Sequence, residues 1–92
     1  MKLLVVVDMQ NDFIDGSLGT NEARKIVDNV VNKIKNHTGM IAVTQDTHHS
    51  NYLKTQEGAN LPVIHCVKNE RGWLLNSKVC DALIEKTGDG TI

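Results

Sequence analysis

Ninety-two residues, 40% of them hydrophobic and 23% charged, with a formal net charge of −1, describe a single globular domain over residues 1–92, with room for one modest core. Ten Lys plus Arg against eleven Asp plus Glu leave no basic surface, so neither nucleic acid nor an anionic membrane is an expected partner. The apolar start Leu3 to Val7 is interrupted at Asp8, too soon for a signal peptide or a membrane span, which makes the cytosol the expected compartment.

Leu3-Leu4-Val5-Val6-Val7 is a continuous branched apolar run, the pattern of a parallel strand buried on both faces, and its carboxyl end delivers Asp8. Met9 to Thr20 is rich in turn formers around the apolar pair Phe13-Ile14 and reads as a loop with an anchored middle. From Asn21 to Asn36 the apolar residues Ala23, Ile26, Val27, Val30, Val31 and Ile34 recur at three- and four-residue spacing, which predicts an amphipathic helix capped by Thr20 or Asn21. Met40 to Val43 follows as a second buried strand, so the first half of the chain is a β-α-β unit. Ser50 to Asn60 is a polar excursion. Leu61 to Val67 is apolar again, but Pro62 limits it to an edge strand or an extended loop. Ser77 to Lys86 predicts a short helix with Val79, Ala82 and Leu83 inward and Ser77 as its cap, and Thr87 to Ile92 is a turn-rich tail. The expected class is α/β: an incomplete doubly wound, Rossmann-like parallel sheet with flanking helices, too narrow to cover both faces of its strands. Such a sheet calls for pairing with another copy or with a further segment of a longer protein.

The densest chemistry is Thr44-Gln45-Asp46-Thr47-His48-His49, directly after the second strand. If the strand continues, Asp46 and His48 face the same way roughly 7 Å apart and His49 points elsewhere. His65, set in an apolar run where an uncompensated imidazole is costly, is the best third ligand, although a core histidine bonded to backbone is the plain alternative. One carboxylate and two imidazoles from two segments suit a catalytic divalent metal that keeps positions open, zinc first, with iron or manganese as alternatives. Asp8, at the end of an apolar strand, is placed either as a general base or as a turn cap. Gln10 and Asp12 either position it or are plain loop residues, and Phe13 either walls a planar substrate or anchors its loop. Cys66 and Cys80 stand in no paired motif and read as reduced, buried thiols.

Taken together, Leu4-Val5-Val6-Val7-Asp8-Met9-Gln10-Asn11-Asp12-Phe13 with Gly16-Ser17-Leu18, then Thr44-Gln45-Asp46-Thr47-His48, then Leu61-Pro62-Val63-Ile64-His65-Cys66, resemble the isochorismatase-like cysteine hydrolases, and within them the nicotinamidase branch. The resemblance implies a doubly wound parallel sheet, a catalytic Asp matching Asp8, a metal site matching Asp46, His48 and His65, and a substrate pocket with Phe13 and Gln10 beside it. It also implies a reaction in which a Cys thiolate attacks the carbonyl of a small amide such as nicotinamide, ammonia leaves, and water cleaves the thioester. The family's Lys and nucleophilic Cys match nothing here, since neither Cys66 nor Cys80 stands at the nucleophile's place. Asn69-Glu70 departs from the family's usual Gly-Thr. The chain is therefore expected to be the N-terminal half of such an enzyme, inactive alone and pairing with a missing C-terminal half or with another copy. The alternative is a catalytically inactive module that keeps the metal site and acts through oligomeric assembly.

Overall fold

The computed structural model describes residues 2–88 and shows an α/β fold. Strand β1, Leu3–Val7, and strand β2, Met40–Thr44, lie side by side and parallel, with Leu3 opposite Met40 and Val7 opposite Thr44. Helix α2, Asn21–Asn36, makes the crossover between them, as the apolar stripe predicts. Its first turn is capped by Thr20, whose Oγ1 accepts the Ala23 amide N–H at 2.9 Å. Gly39, at φ +122°, makes the reversal into β2, a conformation with little strain only in glycine. Here a Cβ would also run into the Lys2 carbonyl oxygen.

Three shorter helices complete the described fold: α1, Asn11–Ile14, a single turn; α3, Gln56–Asn60; and α4, Ser77–Thr87. Two 3-10 turns, Tyr52–Lys54 and Arg71–Trp73, lie between β2 and α4. The cap of α4 is Asn76, one residue earlier than expected, because its side-chain oxygen reaches the amides of both Lys78 and Val79 at 3.0 and 3.3 Å. Most of the predicted tail, from Asp89 onward, lies outside the described residues.

The core forms where one face of the sheet meets α2 and α4. Val6 and Ile41 from the strands, Val27 and Ile34 from α2, and Val79, Ala82 and Leu83 from α4 are buried together, with Met9 and Ile14 at the end that carries the loops. The opposite face differs from the expectation of strands buried on both sides. Leu3, Val5 and Val7 are 63%, 46% and 61% exposed, because both long helices lie against the same face. Leu61 to Val67 is an extended loop rather than a strand. It pairs with the β2 side only through a parallel bridge between His48 and Val67, as expected of a run in which Pro62 cannot donate.

Candidate metal centre

The two parallel strands end on the same side, and every candidate residue lies there or in the loops just beyond. β2 stops at Thr44, so Asp46 and His48 are not placed by strand alternation as the sequence reading supposed. They are placed by a short backbone ladder: the His48 N–H donates to the Cys66 carbonyl at 2.9 Å, and the Lys68 N–H donates to the His48 carbonyl at 2.9 Å. This ladder draws the His65 segment against the Asp46 segment.

As a result the ligating atoms of Asp46, His48 and His65 all lie within 4.8 Å of one another. Asp46 Oδ2 is 3.0 Å from His48 Nε2 and 3.3 Å from His65 Nε2. The His65 ring is 4% exposed, and its Nδ1 sits 2.7 Å from the Val63 carbonyl. A carbonyl only accepts, so Nδ1 donates to it, which leaves Nε2 as the ring nitrogen aimed at Asp46. His49 is exposed and stands apart from the cluster.

Glu57, which the sequence reading passes over as part of a polar excursion, brings Oε2 to 3.1 Å from His48 Nε2. It does so because Thr55 caps α3, accepting the Gly58 N–H at 3.0 Å, and starts that helix beside the site. Thr55, a good cap residue two positions before an acid, was the one local signal for this helix. Tyr52, also unassigned from sequence, is buried with its ring edge-on to His48 and His65, at centroid distances of 4.6 and 5.0 Å, and its hydroxyl donates to the Leu61 carbonyl at 2.7 Å. Burial first, and then the carboxylates of Glu57 and Asp46, push its hydroxyl pKa upward.

The cluster is electron-rich. One oxygen of Asp46 and one ring nitrogen from each histidine lie close enough together for a single cation to bridge them. The donor set, borderline nitrogens with a hard oxygen, fits zinc or a neighbouring transition metal better than calcium or magnesium.

Gln10 is fully buried beneath this cluster. Its Nε2 donates to the carbonyls of Asp46 and Trp73 at 2.9 and 2.7 Å, and its Oε1 accepts the Asp46 N–H at 2.9 Å, so one side chain grips both backbone groups of a ligand residue. Asp8 leaves β1 with φ +51°, a left-handed conformation that costs energy in a residue with a Cβ and recurs at functional sites. The Thr44 hydroxyl donates to Asp8 Oδ1 at 2.8 Å, while the Asp8 N–H donates to the Thr44 carbonyl at 3.2 Å. Asp8 and Phe13 share a largely apolar cleft of about 260 Å³ with Val7, Met9, Ile14, Ala23 and Ile26. Phe13 is half-buried and meets the His65 ring edge-on at 5.6 Å, so it adjoins both that cleft and the His cluster.

Neither cysteine is placed as a nucleophile. Cys66 is fully buried, and its thiol is pushed up to about 12 by burial and then by the carboxylates of Asp46, Asp12 and Asp8. Cys80 lies within α4.

Comparison with known proteins places the chain among its relatives. The family model described as the isochorismatase domain matches residues 2–89. The nicotinamidase of Saccharomyces cerevisiae is 31% identical over 116 aligned positions, which cover 94% of this chain and 53% of that protein. The crystal structure of the pyrazinamidase of Pyrococcus horikoshii in complex with zinc superposes with a TM-score of 0.63 at 36% identity, over 79% of this chain and 43% of that one. The chain thus spans about half the length of the relatives it matches.

Proposed function

Because the chain belongs to the isochorismatase domain family, we propose that it carries the general base and the metal centre of a cysteine hydrolase that cleaves a small amide such as nicotinamide, with the nucleophilic Cys supplied from outside residues 1–92. The observation that carries this reading is the convergence of Asp46, His48 and His65 at the end of the sheet that also presents Asp8. The nicotinamidase and zinc-bound pyrazinamidase relatives support the choice of substrate class and metal.

Asp8 takes the proton of the attacking thiol and returns it to the departing amine, the exchange a carboxylate performs when a neighbour holds it in place. Thr44 is that neighbour: its hydroxyl fixes one carboxylate oxygen and leaves the other free. The thiolate adds to the amide carbonyl, ammonia leaves, and water then cleaves the thioester to the acid. Phe13 supplies an apolar wall against which a flat heteroaromatic ring packs, between Asp8 and His65. Asp46, His48 and His65 hold the metal, with Gln10 positioning Asp46 from below. When bound, the metal supplies a fixed positive point that orients the ring of the substrate and a nearby water.

The test is ammonia release from nicotinamide by residues 1–92 together with a segment that supplies the nucleophilic Cys, beside Asp8→Asn in the same pairing. Loss of about a hundredfold or more in rate, with metal content unchanged, is the expected result. An Asp8→Asn variant as active as the wild type excludes Asp8 as the base. Residues 1–92 alone are expected to release no ammonia, and turnover by them at the rate of the pairing contradicts an external nucleophile.

A second reading, a module that keeps the metal site and acts through assembly, is favoured by the bare apolar face of β1. Ammonia release dependent on Asp8 separates the two.

A further inference from the structure

We propose that Asp12 is a positioning residue for the metal centre: its carboxylate clips the backbone turn that follows His65 and so fixes the distance between the two histidine-bearing segments. The proposal rests on the metal reading above and adds a residue that neither touches the metal nor lines the cleft.

Three observations carry it. Asp12 Oδ2 accepts the Cys66 N–H at 2.8 Å across 54 residues of sequence, and Oδ1 lies 3.4 Å from the Ser17 N–H. Cys66 holds φ +50°, a left-handed conformation that a non-glycine residue keeps only when its surroundings impose it. The carbonyl of that same residue accepts the His48 N–H at 2.9 Å, so the peptide groups of Cys66 link Asp12 on one side to a metal-ligand segment on the other. Without the clip, Cys66 relaxes toward negative φ, its carbonyl swings, and His65 and His48 lose their shared register.

The carboxylate has little freedom to move. A Cβ on Gly72 would collide with both of its oxygens, and one on Gly16 would collide with its Oδ1, so two glycines close around Asp12. A hydrogen-bonded support of this kind, one step removed from the ligands, typically changes metal affinity by about tenfold to a hundredfold when it is lost.

The experiment measures zinc dissociation constants by competition with a chromophoric chelator, and cobalt(II) absorption spectra, for the wild-type protein, Asp12→Ala and Asp12→Asn, with circular dichroism as the check on folding. Asp12→Ala is expected to bind zinc about tenfold to a hundredfold more weakly, with altered cobalt bands, because the coordination geometry loosens. Asp12→Asn keeps a carbonyl oxygen for the Cys66 N–H and is expected to recover most of the affinity. Wild-type affinity and spectrum in Asp12→Ala overturn the proposal, and so do Ala and Asn variants that are equally impaired. Where Asp12→Ala does not fold, Gly72→Ala takes its place: it leaves the carboxylate present but displaces it, and zinc binding as tight as wild type contradicts the clip. Failure of the wild type to bind zinc at all removes the metal reading itself, which is a different outcome from an intact site indifferent to Asp12.

Discussion

At the scale of single residues, the site consists of side chains that need one another's backbones. His65 keeps its proton on Nδ1 because Val63 offers a carbonyl there, and this leaves Nε2 aimed at Asp46. His65→Ala is expected to lower zinc affinity by more than the roughly tenfold to hundredfold typical of outer-shell changes, since it removes a ligand outright. Equilibrium dialysis of zinc checks this, and unchanged binding takes His65 out of the donor set. Cys66 makes the opposite case, a reactive group held inert. Its thiol pKa rises in the fold from an ordinary 9.0 to about 12, so between those values the folded chain binds a proton that the unfolded chain has released. The stabilisation is full below about pH 9 and is lost as the pH climbs toward 12. The unfolding free energy is therefore expected to fall over that window, and to fall less steeply in Cys66→Ala. Denaturant titrations at stepped pH measure both slopes, and parallel curves contradict the assignment. At pH 8 iodoacetamide is expected to leave Cys66 unlabelled in the folded protein, which mass spectrometry of its peptides reads directly.

At the scale of elements, the local signals were good where one segment decides its own structure. The stripe from Ala23 to Ile34 gives α2 its length and its inward face, and Thr20 starts it where a cap residue should. Thr20→Ala is expected to cost about 1 kcal/mol, visible as a lower denaturation midpoint at unchanged slope. A shift too small to measure assigns the start of α2 to packing on the core instead. The α4 cap is not decided by local sequence alone. Asn76 and Ser77 are adjacent and both suit the role, and only the backbone turn at Asn76 decides which side chain reaches Lys78 and Val79. The excursion from Ser50 to Asn60 was legible only as polar sequence. Its helix α3 starts at the Thr55 cap, but that this start falls beside His48, with Tyr52 edge-on to two imidazoles, is a contact between segments that no periodicity reports.

At the scale of the molecule, the two-stranded sheet is finished on one face and bare on the other. Leu3, Val5 and Val7 present a row of branched side chains to solvent, while α2 and α4 cover Val6 and Ile41 on the far side. An apolar strip of this kind on a sheet with open edges favours association. Produced by themselves, residues 1–92 are expected to sediment as a dimer or larger species, and Val5→Asp is expected to shift them toward monomer. A sharp monomer at high concentration without the substitution contradicts this.

The sequence by itself determined the α/β class, the β-α-β unit and the identity of the ligand candidates. These depend on the order of apolar runs and on residue chemistry, and both are written along the chain. It proposed Asp46, His48 and His65 by chemistry and resemblance, and dropped His49. The tertiary structure alone decided that these three converge, because their meeting depends on a ladder between His48 and the turn at Cys66. It also decided the positions of Gln10 under Asp46, of Asp12 under Cys66 and of Glu57 beside His48. Each of those is a contact between residues far apart in sequence or a product of a local cap, and its energy comes from burying and satisfying polar groups in a shape that exists only once the chain has folded.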